Sequence, residues 1–282
     1  MTQIIDGKLV SQSVKDRIRN EVAVLKEKGK EITLAVIIVG DDPASRVYVN
    51  NKKKACEYVG FRSLEYAMPA ETTQEELIAL IEELNDRDDV NGILCQLPVP
   101  KHIDDKAVIA AISVEKDVDA FSSFNVGKIM IGDYDFLPCT PAGVMEMLHY
   151  YDIEVEGKNC VVIGRSNIVG KPMSMLLLHE NGTVTMTHSR TKDLASFTKE
   201  ADILVAAVGR AKFVTDDMVK DGAVVIDVGM NRDENGKLCG DVDFDSVKEK
   251  CSYITPVPGG VGPMTIAMLM QNTLKAYHIQ ND

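Results

Sequence analysis

The chain is poor in the features that mark several broad protein classes. No apolar run approaches the ~20 residues that a membrane span requires, so no membrane partner is expected. Positive charge is in deficit: 31 Lys and Arg against 43 Asp and Glu give a net charge of −12. That balance argues against a nucleic-acid partner, whose usual footprint is a basic stripe. Met1 to Val10 lack a basic region followed by an apolar run, so no secretory signal is expected. The six cysteines (Cys56, Cys95, Cys139, Cys160, Cys239 and Cys251) include no Cys-x-x-Cys pair. Without a signal, free thiols in a reduced, cytoplasmic protein are expected rather than disulfides. The five histidines show no His-Glu-x-x-His or other ligand spacing, and no metal site is expected. There is no internal repeat and no low-complexity segment.

What remains is an ordinary globular composition, 45% apolar and 26% charged, over 282 residues, enough for two modest domains with buried cores. In the first part, helical apolar spacing runs from Val10 to Lys28 and closes at Gly29. Ile32 to Val39 is a nearly continuous apolar run, as in a parallel strand covered on both faces. Asp42-Pro43 supplies an N-cap and a first-turn proline for a helix to about Tyr58. A strand over 61–66, an amphipathic helix over 73–85 and an apolar strand over 92–97 follow. Residues 113–138, rich in Asp, Ser, Asn and Gly, read as irregular active-site loop and linker. A helix from Thr140-Pro141 opens a second series, with strands at 160–163, 183–187, 203–208, 223–228 and 253–255. The last helix runs from about Pro263 to Tyr277. Strands alternating with helices imply two α/β domains with mainly parallel sheets. The expected boundaries are 1–139 plus 263–282 and 140–262, with a substrate cleft between the domains.

Within the second series, Cys160 to Ile163 ends at Gly164, and Gly170 opens a helix over 171–180. Strand, glycine turn and helix start is the arrangement that holds a nucleotide pyrophosphate, because backbone N–H groups and the positive helix end face the phosphates. The dinucleotide fingerprint places glycine at its first, third and sixth positions. Here those positions are Gly164, Ser166 and Val169, with Gly170 one place late. The next strand ends in His188-Ser189-Arg190 and carries no acid, although an NAD enzyme typically has one about 20 residues past the first glycine. Ser189, Arg190 and Arg165 instead suit a 2′-phosphate, so the domain reads as Rossmann-like and NADP-binding. Solvated arginines on an ordinary loop are the alternative.

In the earlier helix, Tyr48 and Lys52 are four residues apart and share a face. Such a pair can act on a substrate proton. It can also be a surface tyrosine beside one of three consecutive lysines, Lys52, Lys53 and Lys54, which splay across roughly 200° of a helix. Near the C-terminus, Gly259, Gly260 and Gly262 among prolines permit main chain to lie close to ligands. A purely structural turn cluster is the alternative there.

Several segments together resemble the bifunctional methylenetetrahydrofolate dehydrogenase/cyclohydrolase family. They are Ser45-Arg-Val-Tyr-Val-Asn-Asn-Lys52, Gly92-Ile-Leu-Cys-Gln-Leu-Pro98, Lys116-Asp-Val-Asp119, Pro138-Cys-Thr-Pro141, Gly164-Arg-Ser-Asn-Ile-Val-Gly-Lys-Pro172 and Pro256-Val-Pro-Gly-Gly-Val-Gly-Pro-Met-Thr265. They occur in the family's order and span nearly the whole chain. Two departures are Ala120, where the family more often has Gly, and Met230, where Ile is commoner.

The resemblance implies NADP-dependent oxidation of 5,10-methylene-tetrahydrofolate to the methenyl cation, then hydrolysis to 10-formyl-tetrahydrofolate. It implies Lys52 as general acid/base, tuned by Gln96, with Tyr48 stacking on the folate and Asp119 accepting pterin N–H groups. Asp119 read alone is a loop acid in solvent. Leu97, Pro258, Gly259 and Gly260 join Tyr48, Lys52, Gln96 and Asp119 at the substrate. Gly164, Arg165, Ser166, Ile168, Val169, Gly170, Ser189, Arg190, Gly209 and Met230 are the expected cofactor contacts. A homodimer is implied, acting in one-carbon metabolism that feeds purine and amino-acid biosynthesis, with Lys53 or Lys54 meeting a polyglutamate tail. A monofunctional NADP-dependent dehydrogenase and a non-enzymatic NADP-sensing module are the competing readings.

Overall fold

The computed structural model describes residues 2–281. Along the chain the elements begin with β1 (Gln3–Ile4), α1 (Gly7–Glu27), β2 (Thr33–Val39), α2 (Pro43–Val59), β3 (Arg62–Met68), α3 (Gln74–Asn85), β4 (Gly92–Cys95), α4 (Asp105–Ala111), α5 (Ser123–Ile131) and α6 (Cys139–Tyr150). They continue with β5 (Asn159–Ile163), α7 (Gly170–His179), β6 (Thr183–Thr187), α8 (Leu194–Thr198), β7 (Ile203–Ala206), β8 (Val224–Asp227), β9 (Asn231–Arg232), β10 (Leu238–Cys239), α9 (Phe244–Val247), β11 (Tyr253–Ile254) and α10 (Val261–Asn281). Two compact α/β units result. One comprises Gln12–Leu137 and the chain from Ile266; the other comprises the chain up to Ser11 and Pro138–Thr265. Among the described residues no helix is long and apolar enough to cross a membrane.

The first of these units is built on a three-stranded sheet, β3-β2-β4, paired in parallel throughout. Every residue of central β2 is buried, which explains its unbroken apolar run. Leu77, Ile81 and Leu84 of α3 and Val108 of α4 pack with Ala35, Ile37 and Ile93 of the sheet. Helix α2 starts where Asp42 accepts the Ser45 N–H at 2.7 Å and ends at left-handed Gly60. Helix α3 begins with a reciprocal Thr73–Glu76 capping box. Its other end is closed by Lys116, whose buried Nζ donates to the carbonyls of Leu84 (3.1 Å), Asn85 (2.7 Å) and Arg87 (2.7 Å).

The 113–138 stretch departs from the irregular loop expected. It holds a short 3-10 turn (Val114–Lys116) and helix α5, capped by Ser122, whose Oγ accepts the Asn125 N–H. The buried residues of α5 are Asn125 and Ile129, while Phe124, Met130 and Ile131 are 59%, 66% and 75% exposed. Apolar residues therefore do not trace the core-facing stripe on which helical periodicity relies.

The other unit carries a six-stranded sheet, β1-β11-β8-β7-β5-β6, with every pairing parallel, and a small antiparallel ribbon, β9–β10. From β6 across to β11 the strands run second, first, third, fourth, fifth, a doubly wound order. In such sheets ligands bind outside the carboxyl ends of the strands where the winding reverses, here between β5 and β7. The inner strands β7 and β8 are buried at every residue. Strand β1 joins the edge, with Gln3 in register with Tyr253. A Cβ on Gly7 would lie 1.8 Å from the Gly260 carbonyl oxygen, so only glycine fits there.

Replacing Lys116 with Met removes three hydrogen bonds and leaves the Asn85 carbonyl, at the end of α3, without a donor among the described residues. Urea unfolding is expected to show a loss of about 2 kcal/mol; an unchanged midpoint would refute the capping role.

Candidate active site

Helix α2 sorts the three consecutive lysines. Val49, Lys52 and Cys56 face inward, whereas Lys53 and Lys54 are exposed. The Lys52 side chain is 9% exposed, and its Nζ donates to Gln96 Oε1 at 2.8 Å. Gln96 follows β4 directly, and its backbone N–H is still held by the β2 carbonyl of Ile37 at 2.8 Å. Its Nε2 donates to the Leu97 carbonyl at 2.7 Å, which fixes the amide so that the oxygen faces the lysine. One helical turn before Lys52, Tyr48 is half-buried, and burial pushes its phenol above the ordinary value. An amine held by an oriented amide beside an aromatic ring is suited to moving one proton at a bound ligand.

Asp119 is half-buried and lines a small pocket with Cys95, Leu97 and Phe121. Burial chiefly pushes the Cys95 thiol up to about 12; the Asp119 charge adds to this and the Lys52 charge opposes it. Cys95 therefore lies within the electrostatic reach of both groups, and Lys52, Gln96, Leu97 and Asp119 gather around the carboxyl end of β4. Ala120 has φ +57°, a left-handed conformation that favours glycine.

The glycine turn lies in the six-stranded unit. Gly164 has φ +130°, and a Cβ there would meet the Ala207 carbonyl oxygen at 2.3 Å; a Cβ on Gly170 would meet the Gly164 oxygen at 2.3 Å. Both positions require glycine, so the late second glycine closes the turn onto the first. Ser166 Oγ accepts the N–H groups of Val169 (3.1 Å) and Gly170 (3.2 Å), which sets the start of α7. The backbone N–H groups of Arg165, Ser166, Asn167 and exposed Ile168 donate to no other described residue. Four consecutive free donors at a helix start form an anion cradle.

On the neighbouring strand, Ile163 is in register with Thr187, and the Gly164 N–H donates to the Thr187 carbonyl at 2.9 Å. Arg165 therefore emerges beside the turn carrying Ser189 and Arg190. All three side chains are exposed, and none has a partner among the described residues. The cradle and the two guanidinium groups fit a phosphorylated dinucleotide.

Gly209 (φ +66°) and half-exposed Met230 lie on the loops after β7 and β8. Two acids that sequence reasoning did not single out hold these loops. Fully buried Asp241 accepts the N–H groups of Val208 (2.6 Å), Gly209 (3.0 Å) and Arg210 (2.9 Å) and the Asn231 amide (2.8 Å). Asp227, at the end of β8, accepts from Gly229, Asp241 and Val242, each at 2.9 Å. The available signal was an acid closing the all-apolar run 224–226. Of the remaining substrate candidates, Pro258 is exposed, Gly259 has φ +108°, and Gly260 abuts Gly7. A Cβ on Gly262 would press on Met230 at 3.2 Å. Among the described residues no cluster of three His, Cys, Asp or Glu is placed to hold a metal ion.

Burial raises the Asp227 carboxyl to about 6, with the Asp241 charge adding and the three N–H donors opposing. This lies above an unfolded value of ~3.9, so folding takes up a proton between about pH 4 and pH 6. Stability from this group is greatest below that window and is lost as pH rises through about 6. Carbon-13 NMR should give Asp227 a midpoint above pH 5; a midpoint near 4 would refute this.

Comparison with known proteins matches both parts of the chain. Residues 5–119 match the catalytic domain of tetrahydrofolate dehydrogenase/cyclohydrolase, and residues 138–281 match its NAD(P)-binding domain. Curated relatives named bifunctional protein FolD include that of Lachnoclostridium phytofermentans, 65% identical over 272 residues and covering 96% of each chain. That of Agathobacter rectalis is 62% identical over 276 residues, covering 98% of this chain and 99% of its own. The crystal structure of the bifunctional FolD enzyme of Campylobacter jejuni superposes with a TM-score of 0.97 at 50% identity, covering 99% of both chains. A Trypanosoma brucei methylenetetrahydrofolate dehydrogenase-cyclohydrolase complexed with NADP cofactor and inhibitor gives 0.94 at 40% identity, covering 99% of this chain and 98% of that one. This chain belongs to the tetrahydrofolate dehydrogenase/cyclohydrolase family.

Proposed function

We infer that this chain oxidises 5,10-methylene-tetrahydrofolate with NADP⁺ and hydrolyses the resulting 5,10-methenyl cation to 10-formyl-tetrahydrofolate. The observation that carries this reading is the 2.8 Å contact between buried Lys52 and Gln96. A dinucleotide cradle alone would serve many oxidoreductases. A desolvated amine on an oriented amide adds the proton-transfer group that a hydrolysis needs.

When bound, NADP⁺ supplies the hydride acceptor. The chain's part in oxidation is to hold the folate, because the product cation is stabilised by its own ring nitrogens and needs little acid–base help. Tyr48 stacks on the folate, Asp119 accepts its pterin N–H groups, and Leu97, Pro258, Gly259 and Gly260 line the substrate. Gly164, Ser166, Ile168, Val169, Gly170, Gly209 and Met230 hold the dinucleotide, with Arg165, Ser189 and Arg190 on the 2′-phosphate.

In hydrolysis, water adds to the methenyl carbon and gives one proton to neutral Lys52. The hydroxyl adduct then collapses: the carbon–nitrogen bond of the five-membered ring breaks, Lys52 returns its proton to the departing nitrogen, and the hydroxyl proton leaves to solvent. The formyl group stays on the other nitrogen, and one proton is released overall. Gln96 holds the amine in place through both transfers.

On this reading residues 1–139 plus 263–282 serve folate and residues 140–262 serve NADP. The enzyme acts in the cytoplasm as a homodimer, and its product feeds purine and amino-acid biosynthesis. Exposed Lys53 and Lys54 are positioned on α2 to meet polyglutamate tails. What supports these finer points is family membership together with the placement of the named residues.

In Lys52→Met, hydrolysis of the methenyl species, followed by its absorbance, should fall by at least about a hundredfold while NADP⁺ affinity is kept. Hydrolysis near the wild-type rate would overturn the role of Lys52. Arg165→Ala combined with Arg190→Ala should weaken NADP⁺ binding far more than NAD⁺ binding in titrations of both; equal losses would remove the 2′-phosphate assignment.

A further inference from the structure

We propose that Asp117 is a positioning residue for the folate site, closing the loop that carries Asp119 and so fixing where that carboxylate stands. The proposal rests on the role assigned above to Asp119. Asp117 is 2% exposed and takes no part in the chemistry. Its carboxylate accepts the Phe121 N–H (3.2 Å), the Ser122 N–H (2.8 Å) and the Asn125 amide (2.9 Å), and its carbonyl accepts the Ala120 N–H (3.0 Å). Residues 118–120 therefore form the tip of a loop whose two ends are tied through one residue, by its carbonyl and its carboxylate.

The base of that loop is anchored on independent elements. Asp117 bridges to Ile93 of β4 in parallel register. Val118 lies against Gly92, where a Cβ would come within 2.7 Å of Val118 Cγ1, and its carbonyl accepts the Asn272 amide of α10 at 2.8 Å. Lys116, one residue earlier, is fixed on the end of α3. The return path through Ala120 and Phe121 is tied to Asp117, Ala120 through its carbonyl and Phe121 through its carboxylate. Ala120 adds a reason for such a tie: its left-handed backbone is unfavourable for a side-chain-bearing residue and relaxes once the loop opens. A ligand-binding carboxylate has to be held to about 0.5 Å, and here a buried neighbour provides that restraint.

Asp117→Asn preserves the size of the side chain but replaces one acceptor oxygen with a donor that faces N–H groups. Its KM for methylene-tetrahydrofolate should rise about tenfold, with kcat little changed and NADP⁺ affinity retained, while the urea midpoint falls. Asn125→Ala removes one of the three donors and should give a smaller rise in KM; it replaces Asp117→Asn if that variant does not fold. Asp119→Asn is the reference. If the double variant Asp117→Asn/Asp119→Asn has no higher KM than Asp119→Asn alone, the two residues act through one contact, as proposed. Additive losses, or a reduced urea midpoint with KM unmoved, overturn the positioning role. If Asp119→Asn raises KM and neither Asp117→Asn nor Asn125→Ala does, this proposal falls and the reading of Asp119 stands. If Asp119→Asn itself leaves KM unchanged, the reading of Asp119 falls, and this proposal with it.

Discussion

Where a parallel strand ends, the departing loop carries N–H groups that have lost their ladder partners, and in both units buried carboxylates take them. Asp227 does so at the end of β8, Asp241 for the loops after β7 and β8, and Asp117 beside β4. Each accepts at least three N–H groups with little or no access to water. A charge-assisted bond of this kind is stronger than a neutral one, and a buried donor left without a partner is costly. These acids restrain loops at the carboxyl edges of the sheets, which is where the glycine turn, Gly209, Gln96 and Asp119 lie.

The two candidate sites use charge in opposite ways. At the glycine turn the cations are exposed and, among the described residues, without partners, on a backbone whose shape is fixed by the mutual approach of Gly164 and Gly170. Exposure costs such groups little in the absence of ligand, and a phosphate brings its own charge to them. On α2 the amine is withdrawn from water and donates to a neutral amide oxygen, so its ability to hold or release a proton depends on what lies beside it. The first arrangement suits recognition of an anion, the second a change of protonation during a reaction.

Much of this was legible in the sequence, for physical reasons that can be named. The strand at 160–163 stands out because its backbone pairs on both sides and its side chains are covered on both faces, whereas edge strand β6, paired only with β5 and mostly half-buried, is legible from its alternation. Helix α2 announces itself through Asp42 and Pro43. Spacing alone put Tyr48 and Lys52 on one face but left Lys52 as one of three neighbours; burial separates it from Lys53 and Lys54. Helix α5 was illegible because its inward face carries Asn125 while Phe124 and Ile131 point outward. Asp117, Asp227 and Asp241 were missed because an acid next to a loop looks solvated until the N–H groups around it are known.

The pairing of β1 with β11 sets an order of events during synthesis. Gln3 and Ile4 leave the ribosome long before their partners Tyr253 and Ile254. The other unit likewise takes in the end of α10, through contacts such as Asn272 with the Val118 carbonyl. Strand pairs such as β2 with β3 and β5 with β6 join neighbours in sequence and can form as they emerge. The six-stranded sheet is not completed until β11 is made, nor the other unit until α10 is made, so shorter chains hold an open sheet edge.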